Sequence, residues 1–249
     1  MPSSDSLLVT VAVFVLAGLV KGVVGLGLPT IAMALLALVM PPARAAVLLI
    51  VPSLVTNVWQ LRPWSTLGPL LRRLAPMQVG VCAGTLVGAW LLGAPMGAWA
   101  TVSLGVALVA YAAWGLSGAR LMVGPVAEAR LGPWVGALTG FVTAATGVFV
   151  IPAVPYLQAL GFEREELIQA MGISFAVSTL ALAAGLYVNA AGVGTQLSQS
   201  LLMLLPALVG MQVGQWLRQK LSPVLFRACF LVSLMLLGMH MVAREMLAG

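Results

Sequence analysis

Acidic side chains are scarce in this sequence. Asp and Glu together number 6 in 249 residues, and they are Asp5, Glu128, Glu163, Glu165, Glu166 and Glu245. All fall in tails or loops between apolar runs, so no paired carboxylates are available inside those runs for general acid–base work. Histidine occurs once, as His240, with Arg244 one helical turn beyond it. That position near the end of an apolar run suits an interfacial side chain, and proton coupling is its alternative role. Cys82 and Cys229 are isolated within apolar runs, which gives neither metal-ligand spacing nor a disulfide framework; each thiol reads as a small hydrophobe. A P-loop is also missing. These absences disfavour an intramembrane enzyme, and no catalytic residue, metal or cofactor is expected.

Hydrocarbon-compatible residues fill the space left by charge. With 61% hydrophobic and 7% charged residues, and a mean hydropathy of +1.10, the chain cannot clothe a soluble domain in polar surface. An all-α polytopic membrane protein is expected, multi-pass in the cell (inner) membrane, with the lipid bilayer as its surroundings. The net charge of +6 does not point to nucleic acid, because the basic residues sit in short loops and act as orientation signals. Met1 to Ser6 carries no Lys or Arg before the apolar run, so it reads as the start of a span and not as a secretory signal.

Two interruptions organise the apolar runs. Gly18, Gly22, Gly25, Gly27 and Pro29 form the first, with Lys21 among them; Gly136, Gly140, Thr143, Thr146, Gly147 and Pro152 form the second. Glycine and proline there should unwind a helix. In a bilayer, freed backbone groups survive only inside protein or along a cavity. Matching breaks in two halves are the sequence pointer to a transporter's binding site.

Leu7 to Val24 is long enough to span a hydrocarbon core of about 30 Å. Thr30 to Met40 is too short to do so, which makes a broken or re-entrant hairpin. Spans are then expected over Ala45 to Leu61, Leu74 to Leu92 and Met96 to Leu116. A polar stretch over 118–130 connects the halves, leaving 1–117 and 131–249 as repeats. The second half offers Leu131 to Ala145, the short Val148 to Leu160, then spans over Ile168 to Val188, Leu201 to Leu217 and Val224 to Met246.

Gly18 and Gly22 match Gly136 and Gly140 at an offset of 118, Arg44 matches Arg164 at 120, and Ser53 matches Ser174 at 121. Gly84 and Gly88 match Gly210 and Gly214 at 126. A hairpin followed by three spans leaves each half on the side opposite its start, so two inverted repeats are expected. Arg62, Arg72, Arg73, Arg120, Arg130, Arg164, Arg218, Lys220 and Arg227 fall in loops of one parity, against Arg44 and Arg244 in the other. The first set should be cytoplasmic and both termini outside.

Candidate substrate ligands follow from chemistry. Interrupted helices aim free N–H groups at a cavity, which nominates Gly25, Gly27 and Pro29 in one half and Thr146 and Gly147 in the other. Lys21 could supply a counter-charge, or its stem could snorkel to the interface. Ser53 and Asn57 share a helical face with Thr56 and Gln60, and Ser174 and Ser178 lie one turn apart. These could hydrogen-bond an anion or merely one another. Thr143 faces the same way as Thr139 and Thr146, although threonines often bond their own preceding carbonyls.

The two glycine–proline breaks, the loop Pro41-Pro42-Ala43-Arg44-Ala45-Ala46 leading into Ser53 to Asn57, and a Gly-xxx-Gly-x-Trp pattern closing each half resemble the sulfite exporter TauE/SafE family over nearly the whole chain. Members commonly carry adjacent glycines in each break; this chain has Gly25-Leu26-Gly27-Leu28 and Gly147-Val148-Phe149 instead. The resemblance implies a secondary transporter of small anions containing oxidised sulfur, such as sulfite or organosulfonates, moved outward. An anion channel and a carrier of another small carboxylate or oxyanion are the alternatives. Coupling ion, with a proton among the options, and oligomeric state stay open.

Overall fold

A computed structural model describes residues 4–119, 121–189, 193–220 and 222–248. Those residues are helical apart from turns and short connections. In order they form α1 (Ser4–Val24), α2 (Leu28–Leu36), α3 (Pro42–Trp59), a short 3-10 turn (Trp64–Thr66), α4 (Leu67–Leu92), α5 (Ala98–Ser117), α6 (Pro125–Thr146), α7 (Ala153–Ala159), α8 (Arg164–Val188), α9 (Val193–Leu202), α10 (Leu204–Leu217) and α11 (Pro223–Ala248). Among the described residues, seven stretches are long and apolar enough to cross a membrane: α1, α3, α4 with its 3-10 turn, α5, α8, α9–α10 from Gln196, and α11. α6 has 22 residues but is not among them. Glu128 and Arg130 lie in its first turns.

Two helices begin earlier than the hydropathy pattern suggests. α4 starts at Leu67, so Arg72 and Arg73 are helical. α6 starts at Pro125, inside the stretch expected to be a connecting loop. Pro125 is at the first helical position, where its missing N–H costs nothing, and Glu128 sits near the positive end of the dipole. Arg120 lies outside the described residues. α8 starts where Glu163 and Glu166 form a capping box, the helix-start role their spacing suggests.

The short helices fold back. Ser6 and Leu7 at the start of α1 gather with Val39, Met40 and Arg44, which follow α2. α2 therefore returns towards the end from which α1 set out. Likewise the Val123 amide, just before α6, donates to the Ala159 carbonyl at the end of α7 at 2.9 Å.

Glycine ridges bring α1 against α10 and α4 against α6. A Cβ at Gly84 would lie 2.0 Å from the Ala137 carbonyl oxygen, and one at Gly136 would lie 2.0 Å from that of Met77. On the other pair, a Cβ at Gly214 would lie 2.2 Å from the Leu19 carbonyl oxygen and one at Gly18 would lie 2.1 Å from that of Ala207. Only glycine permits such approach of backbones. These contacts correct the register of the ridges. Gly80 packs on Pro133 and Gly210 on Val15; Gly84 packs on Ala137 and Gly214 on Leu19. The equivalent pairs are Gly80 with Gly210 and Gly84 with Gly214, an offset of 130 and not 126.

α3 carries Pro52 in its interior. Lacking an N–H, Pro52 leaves the Leu48 carbonyl one turn earlier without its helical donor. The buried Ser200 hydroxyl of α9 donates to that carbonyl at 2.9 Å and accepts from the Val51 amide at 3.1 Å. The α3–α4 turn is held by Gln169 of α8, whose Nε2 donates to the Leu61 and Pro63 carbonyls at 2.6 and 2.8 Å.

Candidate anion site

Gly25 ends α1 in the left-handed region, with φ of +85°, and Gly27 at +111° caps the start of α2. Side chains rarely adopt these angles, so the two glycines set the break and Pro29 starts the next helix at a buried position. The open Gly25 carbonyl is covered by Gln60 of α3, whose Nε2 donates to it at 2.6 Å. This contact fixes the end of α1 against the end of α3.

One turn before the break, Lys21 is only 3% exposed. Its ammonium donates to Thr56 Oγ1 at 3.0 Å and to Asn57 Oδ1, while the Thr56 hydroxyl donates onward to the Pro52 carbonyl at 2.7 Å. Snorkelling is ruled out by this geometry: the amine points across to α3. Among the described residues the one ion pair joins Arg73 to Glu128, so no carboxylate faces Lys21. An ammonium removed from water and met only by neutral oxygens is a costly arrangement that an anion would relieve.

Lys21 lies at the inner end of a cavity of about 560 Å³ that Gly25, Gln60, Arg164, Gln215 and Arg218 also line. Arg164 is exposed and Lys21 buried, so the cavity runs from the surface to the Lys21 segment of α1; Thr56 and Asn57, which hold the ammonium, do not line it. The corresponding place at the opposite end, bounded by Thr85, Ala89, Ala144 and Gly185, holds only about 10 Å³. Thr85 and Ala89 precede Gln215 and Gln219 by the same 130 residues that relate the ridges.

The remaining predicted residues divide. Asn57 is buried beside Lys21, and its Nδ2 has no partner. Ser53 and Ser178 are buried with hydroxyls that also lack partners. Ser174 accepts from Gln78 Nε2 at 2.8 Å. These side chains sit on α3 and α8, which pack together where Gly172 abuts Asn57 and Gln60. By contrast, Thr143 and Thr146 donate to the carbonyls of Thr139 and Val142 at 2.7 Å. Thr146 also accepts from the Val148 amide at 3.1 Å, closing the second break, and Gly147 abuts Met33 and Ala46. Of the predicted residues, Lys21 and Gly25 line the cavity; Gly27, Pro29, Ser53, Asn57, Thr143, Thr146, Gly147, Ser174 and Ser178 do not. His240 is exposed on α11.

Gln78 went unnoticed in the sequence, although it is a lone amide on the buried face of α4 with Val81 and Thr85. Its Oε1 and the Thr30 hydroxyl are further buried atoms without partners. Among the described residues no group of His, Cys, Asp and Glu could hold a metal ion.

Apolar helices of spanning length, two broken hairpins and a cavity lined by Lys21, Arg164 and Arg218 fit a polytopic membrane protein of transporter type. The family model for the sulfite exporter TauE/SafE matches residues 10–241, and the chain belongs to that family of membrane transporters. No curated protein matched the chain, and no solved structure did.

Proposed function

We propose that the protein is a secondary transporter that exports small sulfur oxyanions, sulfite or small organosulfonates, across the cell membrane, and that Lys21 is the counter-charge of the bound anion. The carrying observation is the buried ammonium without a carboxylate, at the inner end of a cavity that also bears Arg164 and Arg218. The unpartnered Asn57 Nδ2 adds a neutral donor beside it. Sulfur oxyanions as the substrate class, and the outward direction, are drawn from the family.

In this reading the halves are inverted, with the end bearing Arg62, Arg73, Arg164 and Arg218 in the cytoplasm. The returning paths of α2 and α7 and the recurrence of ridge contacts support it. The cavity then faces inward, and export requires the closed end at Ala89, Ala144 and Gly185 to open in turn. Counterflow of labelled sulfite into proteoliposomes preloaded with unlabelled sulfite tests this function. Saturable counterflow is expected; flux that rises linearly with concentration would mean a pore, and no flux of sulfite or methanesulfonate would refute the substrate class.

A further inference from the structure

Three cations at the cavity end of the molecule are held by neighbouring rings or a carboxylate. Arg62 lies over the Trp59 ring at 4.1 Å and Lys220 over Trp216 at 4.0 Å. Arg73 makes two bonds to the Glu128 carboxylate, at 2.7 and 2.8 Å, and lies over Phe162 at 4.4 Å. These three charges are engaged by aromatic faces or a carboxylate, as expected of residues that anchor helix ends. Arg164 and Arg218 are different. Both line the cavity that ends at Lys21, and neither is in an ion pair, the one such pair among the described residues being Arg73 with Glu128.

We propose that Arg164 and Arg218 form an access subsite for small oxyanions at the mouth of the cavity, which captures the anion before it reaches Lys21. The inference rests on the Lys21 reading of the site and adds to it an ordered path. The two arginines approach from separate elements, the first turn of α8 and the residue following α10. Guanidinium groups suit planar, multi-oxygen anions because they present several donors at fixed angles. The charged side chains among the cavity's described lining are all basic, while Glu163, Glu165 and Glu166 flank Arg164 at the start of α8 outside that lining. A cleft of that kind concentrates counter-ions and speeds capture by roughly 10- to 1000-fold, an effect that salt weakens. Gln60 and Gln215 also line the cavity, uncharged side chains that can hydrogen-bond the anion without adding a fixed charge.

The test is sulfite flux in proteoliposomes of defined orientation, at matched incorporation, with sulfite presented to one face at a time. Arg164→Gln with Arg218→Gln should raise KM from the arginine-bearing face about tenfold and flatten its salt dependence. From the opposite face, where the arginines are met only on release, KM should stay within about twofold of wild type and the maximal rate should fall instead, since the ratio of maximal rate to KM must change equally in both directions. Arg164→Lys with Arg218→Lys should recover most of the KM. An unchanged KM, or an equal rise from both faces, would overturn the access subsite. Lys21→Met, measured alongside, separates the two ideas. If it abolishes saturable flux while the arginine pair has no effect, only the subsite fails; if it transports like wild type, the Lys21 reading fails.

Discussion

Lys21 and Asn57 form a pair whose chemistry can be inverted by one atom. Asn57 Oδ1 accepts from the ammonium, yet its Nδ2 stays without a partner, so the side chain is positioned but not saturated. Asn57→Asp would place a carboxylate against Lys21 and supply the counter-charge internally. A built-in ion pair should compete with the anion, so sulfite counterflow should fall to background while the melting temperature in detergent holds or rises. Wild-type flux in this variant would mean that the anion does not meet Lys21. The sequence made much of this pair legible, because a lysine beside a glycine break and an amide on a polar helical face are both conspicuous in apolar surroundings. Gln60, Arg164 and Arg218 carry no such signal as site residues. Their role depends on the ends of α1, α3, α8 and α10 meeting, and no local spacing encodes that meeting.

The glycine ridges govern how the helices assemble. Backbone approach at Gly84 and Gly136 leaves no room for a Cβ, so Gly84→Leu must push α4 from α6. That should lower stability by about 1–3 kcal/mol or more, read as a drop in the melting temperature in detergent. Gly68, near the start of α4 with nothing within 4 Å of a Cβ, provides the contrast: Gly68→Ala should melt like wild type. An unchanged melt for Gly84→Leu would contradict the packing. The ridges were plain in the sequence but their register was not. A small residue every fourth position looks the same after a shift of one turn, so Gly84 could be matched to either Gly210 or Gly214; contacts with α1 and α6 decide for Gly214. Starts of α4 and α6 were misplaced for another reason. Hydropathy marks where the hydrocarbon ends, whereas a helix continues as long as its backbone bonds are satisfied, and Arg72, Arg73, Glu128 and Arg130 ride on such extensions.

The likeness between the two glycine-ridge helix pairs does not extend to the spaces beside them. Corresponding pairs of helices, α1 with α10 and α6 with α4, meet through the same kind of ridge, yet the cavity beside Lys21 measures about 560 Å³ and the space beside Thr85 and Ala144 about 10 Å³, while a separate cavity of about 510 Å³ lined by Thr10, Arg44 and Gln199 lies at that opposite end. Lys21 has Thr139 at the corresponding place in the second half. The Thr139 hydroxyl donates to the Val135 carbonyl at 2.7 Å. A single charged site reached from one end at a time is what a carrier needs, because its ligand must be held on one side and released on the other. The central claim is that the bound anion is neutralised by Lys21. The most direct test is a sulfite binding isotherm on purified protein in detergent, wild type against Lys21→Met, with matched melting temperatures in the absence of anion. Saturable binding by wild type and its loss in Lys21→Met is the predicted result; equal affinity in the two proteins would contradict it.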